Sequence, residues 1–442
     1  MTEGSTPNDE AHRFEERSRR LARAQRLGGV ITADTEAARR RAARVDPTLP
    51  LSAWTMAVKD NIHVAGLPNT AGTAALRDFV PDEDAPVVRI LREAGAVVIA
   101  KANMHELAFG ATSNNVSYGG VRNPVDPERS PGGSSGGTAT TVAVGAARIG
   151  LGTDTGGSVR VPAALTGLVG FRPTTGRYPS GGVTPLSSLR DTVGVMADTV
   201  ADVLAVDRVL VPLDVDSAPP GGVAALTLGV PTSRLADDLD PAVAAAWEAG
   251  LARLRDAGVV LRDVDIDAAI TAEDRSGLSV VLAEARPRLE SYLRRYVPDL
   301  SIEGLLDAVA GPDVAETVAR FITDEDEVAA VMRDAAADVS RARAAYAAAL
   351  RDVDALVFPT TPATAQLLGQ EDVSFLLNGR RVDTFTTMIR NTGPGSFAGV
   401  PGVTLPLRVA TGSLPVGLAL DGARSADRRL LHVADVLAPI VG

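Results

Sequence analysis

The chain has 442 residues, 45% of them hydrophobic, so it can bury a large core and is long enough for more than one domain. Its formal net charge of −11 makes it a poor partner for nucleic acid or for anionic membrane surfaces. The absence of cysteine excludes disulfides, thiolate metal sites and cysteine nucleophiles. No apolar segment resembles a secretory signal or a membrane span, so the sequence predicts a cytoplasmic protein.

Two side-chain counts restrict the chemistry. The four histidines are His12, His63, His105 and His432. So few histidines argue against a histidine-rich metal site, and we expect no catalytic metal. Lysine occurs only at positions 59 and 101, although lysine and arginine together number 44. Because a desolvated lysine can lose its proton and an arginine cannot, Lys59 and Lys101 are candidates for proton-transfer chemistry.

The first hundred residues predict a helical start and then a sheet. Residues 1–25 form a polar N-terminal tail and helix, and we expect a single domain over 26–442. A basic helix around 35–45 precedes the first predicted core strand, at 55–58. Apolar residues at helical spacing before Gly95 then give way to the β-rich segment AVVIA at 96–100.

The middle of the chain continues this alternation. Residues 102–137 are rich in Gly, Asn, Ser and Pro, which is typical of loops. TATTVAVGAA at 138–147 predicts a buried helix of small residues, and ARIGLG at 147–152 predicts a buried strand. Alternating helices and strands of this kind indicate an α/β sheet with helices on both faces.

The second half begins after a Pro/Gly break at 217–222. A helix is predicted after Asp240, with Pro241 in its first turn and Gly258 just past its end. We expect a helical insertion at about 236–350, which could cover a pocket, mediate dimerisation or serve as structural bulk. Strands resume in the segments ALVFPTTPA, GVTLPL and PVGLAL.

Three segments carry the chemical signal: AVKDN at 57–61, SPGGSSGG at 130–137 and GLGTDTGGSVRVPAA at 150–164. Glycines allow positive φ and close approach of the backbone to a ligand. By itself GGSSGG favours a tight turn. Its match to G-x-S-x-G at Gly132–Gly136 is compositional, and the preceding strand that a nucleophile elbow requires is not evident.

The third segment is more specific. A strand ends near Gly152 and a Gly-Gly-Ser turn follows, whose N–H groups can converge on one point and stabilise an oxyanion. A serine in that turn needs a base, and no histidine is an obvious partner. Lys59, at the end of a predicted strand, is the remaining choice. No S-x-x-K sequence occurs, which excludes the β-lactamase arrangement.

These segments resemble those of the amidase signature family. GGSSGG is followed, 24 residues after Ser134, by the serine of GTDTGGSVR, and VKDNI and LPVGLAL agree with the family as well. The resemblance covers about 50–210 and 355–435. It implies one large, twisted, mixed β-sheet covered by helices on both faces, and amide hydrolysis without a cofactor.

The resemblance also implies a Ser-cisSer-Lys triad. Carried over to this chain, Ser158 is the nucleophile, Ser134 bridges after a cis peptide bond from Gly133, and Lys59 is the base. The expected oxyanion donors are the backbone N–H groups of Thr155, Gly156, Gly157 and Ser158. The side chains expected to hold the loops by hydrogen bonds are those of Ser135, Asp154 and Arg160.

Two longer segments, at 150–194 and 371–406, resemble those of indoleacetamide hydrolases and mandelamide hydrolases, which implies a small aryl- or arylacetamide-type substrate. Anilide and carbamate hydrolysis stay open, because those substrates present the same carbonyl. A glutamyl-tRNA amidotransferase A subunit fits less well, since the segment LPVGLALDGARSADRRLL departs from that subunit and basic surface is lacking. A catalytically silent binding protein is disfavoured by the intact triad. We expect no nucleic-acid or membrane partner, and a homodimer stays open.

Overall fold

The computed structural model describes residues 7–214, 222–232 and 234–442, with side chains from residue 14 onward. Within these ranges the α-helices are α1 (Pro7–Arg26), α2 (Thr35–Ala42), α3 (Pro86–Glu93), α4 (Gly136–Ala143), α5 (Arg160–Thr166), α6 (Val200–Leu210), α7 (Pro241–Asp256), α8 (Asp267–Tyr296), α9 (Ile302–Asp307), α10 (Pro312–Val318), α11 (Glu325–Ala349), α12 (Thr384–Ile389), α13 (Gly393–Ala398) and α14 (Asp427–Val441).

The strands in the same ranges are β1 (Val30–Thr32), β2 (Thr55–Lys59), β3 (Val97–Ala102), β4 (Asn114–Asn115), β5 (Gly119–Gly120), β6 (Ile149–Asp154), β7 (Val169–Arg172), β8 (Thr192–Ala197), β9 (Thr227–Pro231), β10 (Val260–Val264), β11 (Ala355–Pro359), β12 (Ser374–Leu377), β13 (Arg380–Asp383), β14 (Gly402–Pro406) and β15 (Gly417–Asp421).

Among the described residues, eleven strands form one sheet in the order β1-β3-β2-β6-β8-β7-β14-β15-β11-β9-β10. β2 lies between β3 and β6 and is parallel to both, whereas β8, β7, β14 and β15 pair with their neighbours in antiparallel fashion. The sheet is therefore mixed, as the family resemblance implies, and the chain has the α/β architecture that the alternation of helices and strands predicts.

Alternation along β2 divides the core into two layers. Met56 and Val58 pack into an apolar cluster with α3, α6 and α14 on one face of the sheet. Ala57 points to the other face and packs with α1 and α4. By the same period of two, Lys59 lies on the face of Ala57, where α4 begins just after Ser134. Each fully buried valine or leucine of these layers contributes about 1.5–3 kcal/mol.

Most predicted elements of the first half are present, with shifted ends. The strand predicted at 55–58 extends to Lys59, and the helix predicted at 138–147 runs from Gly136 to Ala143. The buried face of α1, formed by Phe14, Leu21 and Ala24, anchors the N-terminal helix to the core. The Pro/Gly break at 217–222 lies outside the described residues except for Gly222.

The interval 236–350 contains more than helices. β10 pairs in parallel with β9, which pairs with β11, so α7 and β10 belong to the edge of the sheet. The wholly helical part comprises α8 to α11, and α8 packs against α11 through Ala272, Val280, Ala335 and Val339. Among the described residues, no helix combines the length and apolarity needed to cross a membrane.

Candidate active site

Lys59 ends β2 with its side chain fully buried. Its Nζ lies 2.7 Å from Ser134 Oγ and 2.8 Å from Thr153 Oγ1, at the end of the neighbouring strand β6. The peptide bond between Gly133 and Ser134 is cis, at the position where the family resemblance implies one. The parallel pairing of β2 with β6 and the loop before α4 therefore bring the predicted base and the predicted bridging serine into contact.

The surroundings of Lys59 favour the neutral amine. Burial lowers the pKa of Lys59 to about 7, although the more distant carboxylates of Asp154 and Asp191 act to raise it. Its two polar contacts are hydroxyls, and Asn61 Nδ2 donates to Thr153 Oγ1 as well, at 3.1 Å. An amine with this pKa can accept a proton near neutral pH.

The other lysine has a different environment. Lys101 Nζ lies 3.0 Å from Asp60 Oδ1, and both side chains are fully buried. The ammonium also donates to the carbonyl oxygen of Pro68 at 3.0 Å and to Asn69 Oδ1 at 3.1 Å. Lys101 is thus held in a buried ion pair, which separates it from the proton-transfer role that its residue type alone left open.

Ser158 lies in the turn between β6 and α5 and is 9% exposed. Gly157 precedes it with φ of +146°, a backbone conformation that L side chains rarely adopt. A Cβ atom on Gly157 would also lie 2.2 Å from Thr392 Oγ1. Glycine is therefore required at this position, and the Gly-Gly-Ser pattern reflects a real geometric constraint.

Every carbonyl group from residue 154 to residue 158 accepts a hydrogen bond from a donor outside this turn. The donor–acceptor pairs are Arg172 Nη1 to Asp154 O, Arg190 Nε to Thr155 O, Thr392 Oγ1 to Gly156 O, Val161 N to Gly157 O and Ser135 N to Ser158 O. Within the described chain, no acceptor pairs with the N–H groups of Gly156, Gly157 or Ser158. The turn can therefore present consecutive donors to a developing oxyanion.

Asp154 anchors the start of the turn. Its carboxylate accepts from Arg160 Nε and Nη2, both at 3.1 Å, and from Arg172 Nη1 at 3.1 Å. Burial alone would raise the pKa of Asp154, but the two guanidinium groups outweigh it and hold the pKa below its usual range. The carboxylate therefore stays ionised.

Ser135, also singled out from the sequence, connects the two glycine-rich loops. Its Oγ donates to the carbonyl oxygen of Thr153 at 3.3 Å, and its N–H donates to that of Ser158 at 3.2 Å. The loop that carries Ser134 is thereby held against the turn that carries Ser158.

Sequence reasoning missed four residues that complete the arrangement: Thr153, Arg172, Arg190 and Thr392. The two arginines look like any of the other forty in the sequence, and neither has a distinctive spacing from the glycine-rich segments. Thr392 is 236 residues from the carbonyl to which it donates. Thr153 could have been suspected, because it lies near the end of β6, the strand next to the one that carries Lys59.

A cavity of about 660 Å³ opens above Ser158. Much of its wall is apolar, and its apolar members include Phe109, Leu186, Leu278, Val281, Phe385 and Ile389. Leu278 and Val281 belong to α8, and α10 supplies further wall residues. Helices α8 and α10 thus form part of the pocket wall.

The described residues contain no group of three or more His, Asp or Glu side chains placed to hold a metal ion. The model of the amidase family matches residues 14–431 of this chain.

The chain belongs to the amidase family.

The relatives named next match this amidase over most of its length and most of their own. An indoleacetamide hydrolase of Rhizobium radiobacter is 38% identical over 431 residues, covering 96% of this chain and 92% of the relative. A mandelamide hydrolase of Pseudomonas putida is 36% identical over 456 residues, covering 96% and 86%. A crystal structure of an amidase matches with a TM-score of 0.83 and 33% identity, covering 99% and 97%.

These matches confirm the family and the fold predicted from the sequence. The protein is an enzyme, an amidase that hydrolyses amide C–N bonds.

Proposed function

We propose that this amidase cleaves the carboxamide of a small aryl- or arylacetamide-type substrate through an acyl-enzyme on Ser158, with Ser134 and Lys59 completing a Ser-cisSer-Lys triad. One observation carries the proposal. A fully buried lysine with a pKa lowered to about 7 contacts Ser134 Oγ at 2.7 Å. The Ser134 loop is hydrogen-bonded to the Ser158 turn at the floor of the cavity.

Acylation follows from this geometry. Ser158 Oγ attacks the amide carbonyl carbon and gives its proton to Ser134, which passes its own to Lys59. The negative charge that develops on the carbonyl oxygen is stabilised by the N–H groups of the 155–158 turn. Removing one such donor typically costs about 10²–10³ in kcat.

Collapse of the tetrahedral intermediate breaks the C–N bond. The protonated Lys59 returns a proton, through Ser134, to the leaving nitrogen, which departs as ammonia or an amine. Water then attacks the acyl-enzyme with the same base assistance, and the acid product leaves. The proton that Ser158 gave up leaves with the amine, and a proton from the attacking water restores the Ser158 hydroxyl.

The substrate class rests on the cavity and on the relatives. Phe109, Leu186 and Phe385 provide apolar surface above Ser158, which suits an aromatic ring. The relatives named above are described as hydrolases of indoleacetamide and mandelamide, both arylacetamide-type amides. An aryl group on the acyl side is therefore the favoured substrate feature.

A substrate panel tests this class. The panel compares indole-3-acetamide, mandelamide, an anilide and an aryl carbamate, with acetamide as the control without an aryl group. We expect kcat/KM for the arylacetamides to exceed that for acetamide by at least about 10²-fold, because burial of the ring contributes several kcal/mol. Preference for the anilide or the carbamate would instead identify an aryl acylamidase or a carbamate hydrolase.

We also predict that activity does not depend on a metal. Because the proposed proton transfers use only Ser158, Ser134 and Lys59, dialysis against EDTA should leave kcat/KM unchanged. The measurement is amide turnover before and after chelation, with a zinc-dependent hydrolase treated in parallel. Full loss of activity that a divalent ion restores would contradict the triad as the complete catalytic unit.

A further inference from the structure

Arg190 lies just before β8 and reaches the wall of the cavity beside Gly156. Its side chain is only 3% exposed. Nothing in the proposed chemistry uses this guanidinium, although it contacts the turn that carries Ser158.

The contacts of Arg190 connect the turn to the insertion. Nε donates to the carbonyl oxygen of Thr155 at 3.0 Å. Nη1 and Nη2 donate to the two carboxylate oxygens of Glu273 on α8, each at 2.9 Å, and Nη1 also donates to the carbonyl oxygen of Gly277 at 2.9 Å. Four of the five guanidinium N–H groups are therefore engaged by the protein itself.

The fold leaves specific room for the Glu273 carboxylate. A Cβ atom on Gly277 would lie 2.3 Å from Glu273 Oε2, and one on Gly393 would lie 2.8 Å from Oε1. Glycine at both positions leaves space between α8 and α13 for the Glu273 carboxylate. The carboxylate can then form its bidentate pair with Arg190. A planar, two-point arginine–carboxylate pair fixes orientation as well as distance.

The consequence for the turn follows from peptide geometry. The Thr155 carbonyl and the Gly156 N–H belong to one planar peptide unit and point in opposite directions when the bond is trans. A donor that holds the carbonyl oxygen in place therefore also sets the direction of the N–H. Polarisation of the carbonyl further strengthens that N–H as a donor.

We propose that Arg190, oriented by Glu273, is a positioning residue that directs the Gly156 N–H toward the oxyanion, so that the insertion helix α8 sets the geometry of the catalytic turn. This inference rests on the proposed function of the 155–158 turn. Because its charge is paired with Glu273 and four of its five N–H groups are occupied, Arg190 acts through the turn rather than as a binding site for an anionic substrate.

The test replaces Arg190 with lysine, which keeps the charge but loses the planar fork. We expect kcat to fall about 10- to 100-fold, because sub-ångström misplacement of catalytic groups is costly, while KM changes by less than about threefold. The rate of labelling by a fluorophosphonate should fall in parallel. The pH limb set by Lys59 should stay in place, since Lys59 and Ser134 are untouched.

Arg148→Lys is the matched control. Arg148 forms a comparable pair with Asp202, at 2.9 Å and 3.4 Å, outside the cavity. Arg148→Lys, which disrupts this pair, should leave kcat unchanged. Glu273→Gln provides a second variant, because it keeps the shape of the side chain and one acceptor for Arg190. We expect it to lower kcat by a smaller factor than Arg190→Lys, again with little change in KM.

The Arg190 proposal is overturned if Arg190→Lys folds and keeps kcat within about twofold of the wild type, or if only KM changes. Should that variant fail to fold, unchanged kcat in Glu273→Gln overturns it instead. Labelling of Ser158 in the wild type is measured alongside. A wild type that is not labelled on Ser158 contradicts the proposed function, whereas normal Ser158 labelling with unaffected variants contradicts the Arg190 inference alone.

Discussion

Ser158→Ala should abolish amide turnover, lowering kcat by roughly 10⁴-fold or more, because the acyl-enzyme cannot form without its nucleophile. The fold should persist. Within the described residues, the Ser158 side chain forms no hydrogen bond that another element depends on, and the position is 9% exposed. The oxyanion donors also remain in this variant. They can still bind and polarise the amide carbonyl, so we expect a weak residual turnover.

The measurement is steady-state turnover of the best panel substrate, with thermal unfolding as the check on folding. Ser279→Ala is the matched control, since Ser279 lies on α8 and donates to the carbonyl oxygen of Ser276 rather than facing Ser158. That control should keep wild-type kcat. If folded Ser158→Ala enzyme retained more than a few per cent of the activity, another residue would have to be the nucleophile.

Lys59→Arg should cost nearly as much activity as Lys59→Ala, about 10²–10⁴-fold in kcat/KM, the usual scale of general acid–base catalysis. Arginine keeps the positive charge but cannot accept a proton near neutral pH. The pair of variants therefore separates charge from basicity. If Lys59 acted only through its charge, the arginine enzyme would keep much of the rate.

The pH dependence of the wild type tests the same role. Burial lowers the pKa of Lys59 to about 7, so the amine is protonated and inactive as a base below that pH and neutral above it. The value of kcat/KM should therefore rise through about pH 7 and level off above it, far below the usual lysine pKa of about 10.4. Lys101→Arg is the control, because Lys101 pairs with Asp60 and should not set this limb.

Two results would contradict the base assignment. One is a folded Lys59→Arg enzyme with near-wild-type kcat/KM, shown by mass spectrometry to be free of the wild type. The other is a wild-type profile that is flat between about pH 5 and pH 9, which would place the titrating base elsewhere.

Local patterns were enough to place part of the candidate site. A strand must precede Lys59 and another must end before the Gly-Gly-Ser turn, and both are visible as apolar runs that stop at polar residues. The need for glycine at 157 is likewise local, because φ there is +146°. The cis bond before Ser134 came only from the family resemblance, since sequence pattern alone favoured an ordinary turn.

The supports of the site could not be predicted, because they come from distant parts of the chain. Arg190 contacts Glu273, 83 residues away, and Thr392 donates to a carbonyl 236 residues away. Such contacts depend on how α8 and α13 pack over the sheet, and no spacing or residue type in the sequence predicts them. The sequence favoured Lys59 over Lys101 as the base, but the partners that distinguish the two buried lysines, Asp60 for Lys101 and Ser134 for Lys59, could not be predicted.

The most direct test of the triad is to map the covalent adduct that a fluorophosphonate forms with the wild-type enzyme, by mass spectrometry of its peptides. We predict a single adduct on Ser158, formed faster as the pH rises through about 7 and absent from Ser158→Ala. Complete inactivation with the adduct on Ser134, Ser135 or any other residue, and Ser158 unmodified, would contradict the account.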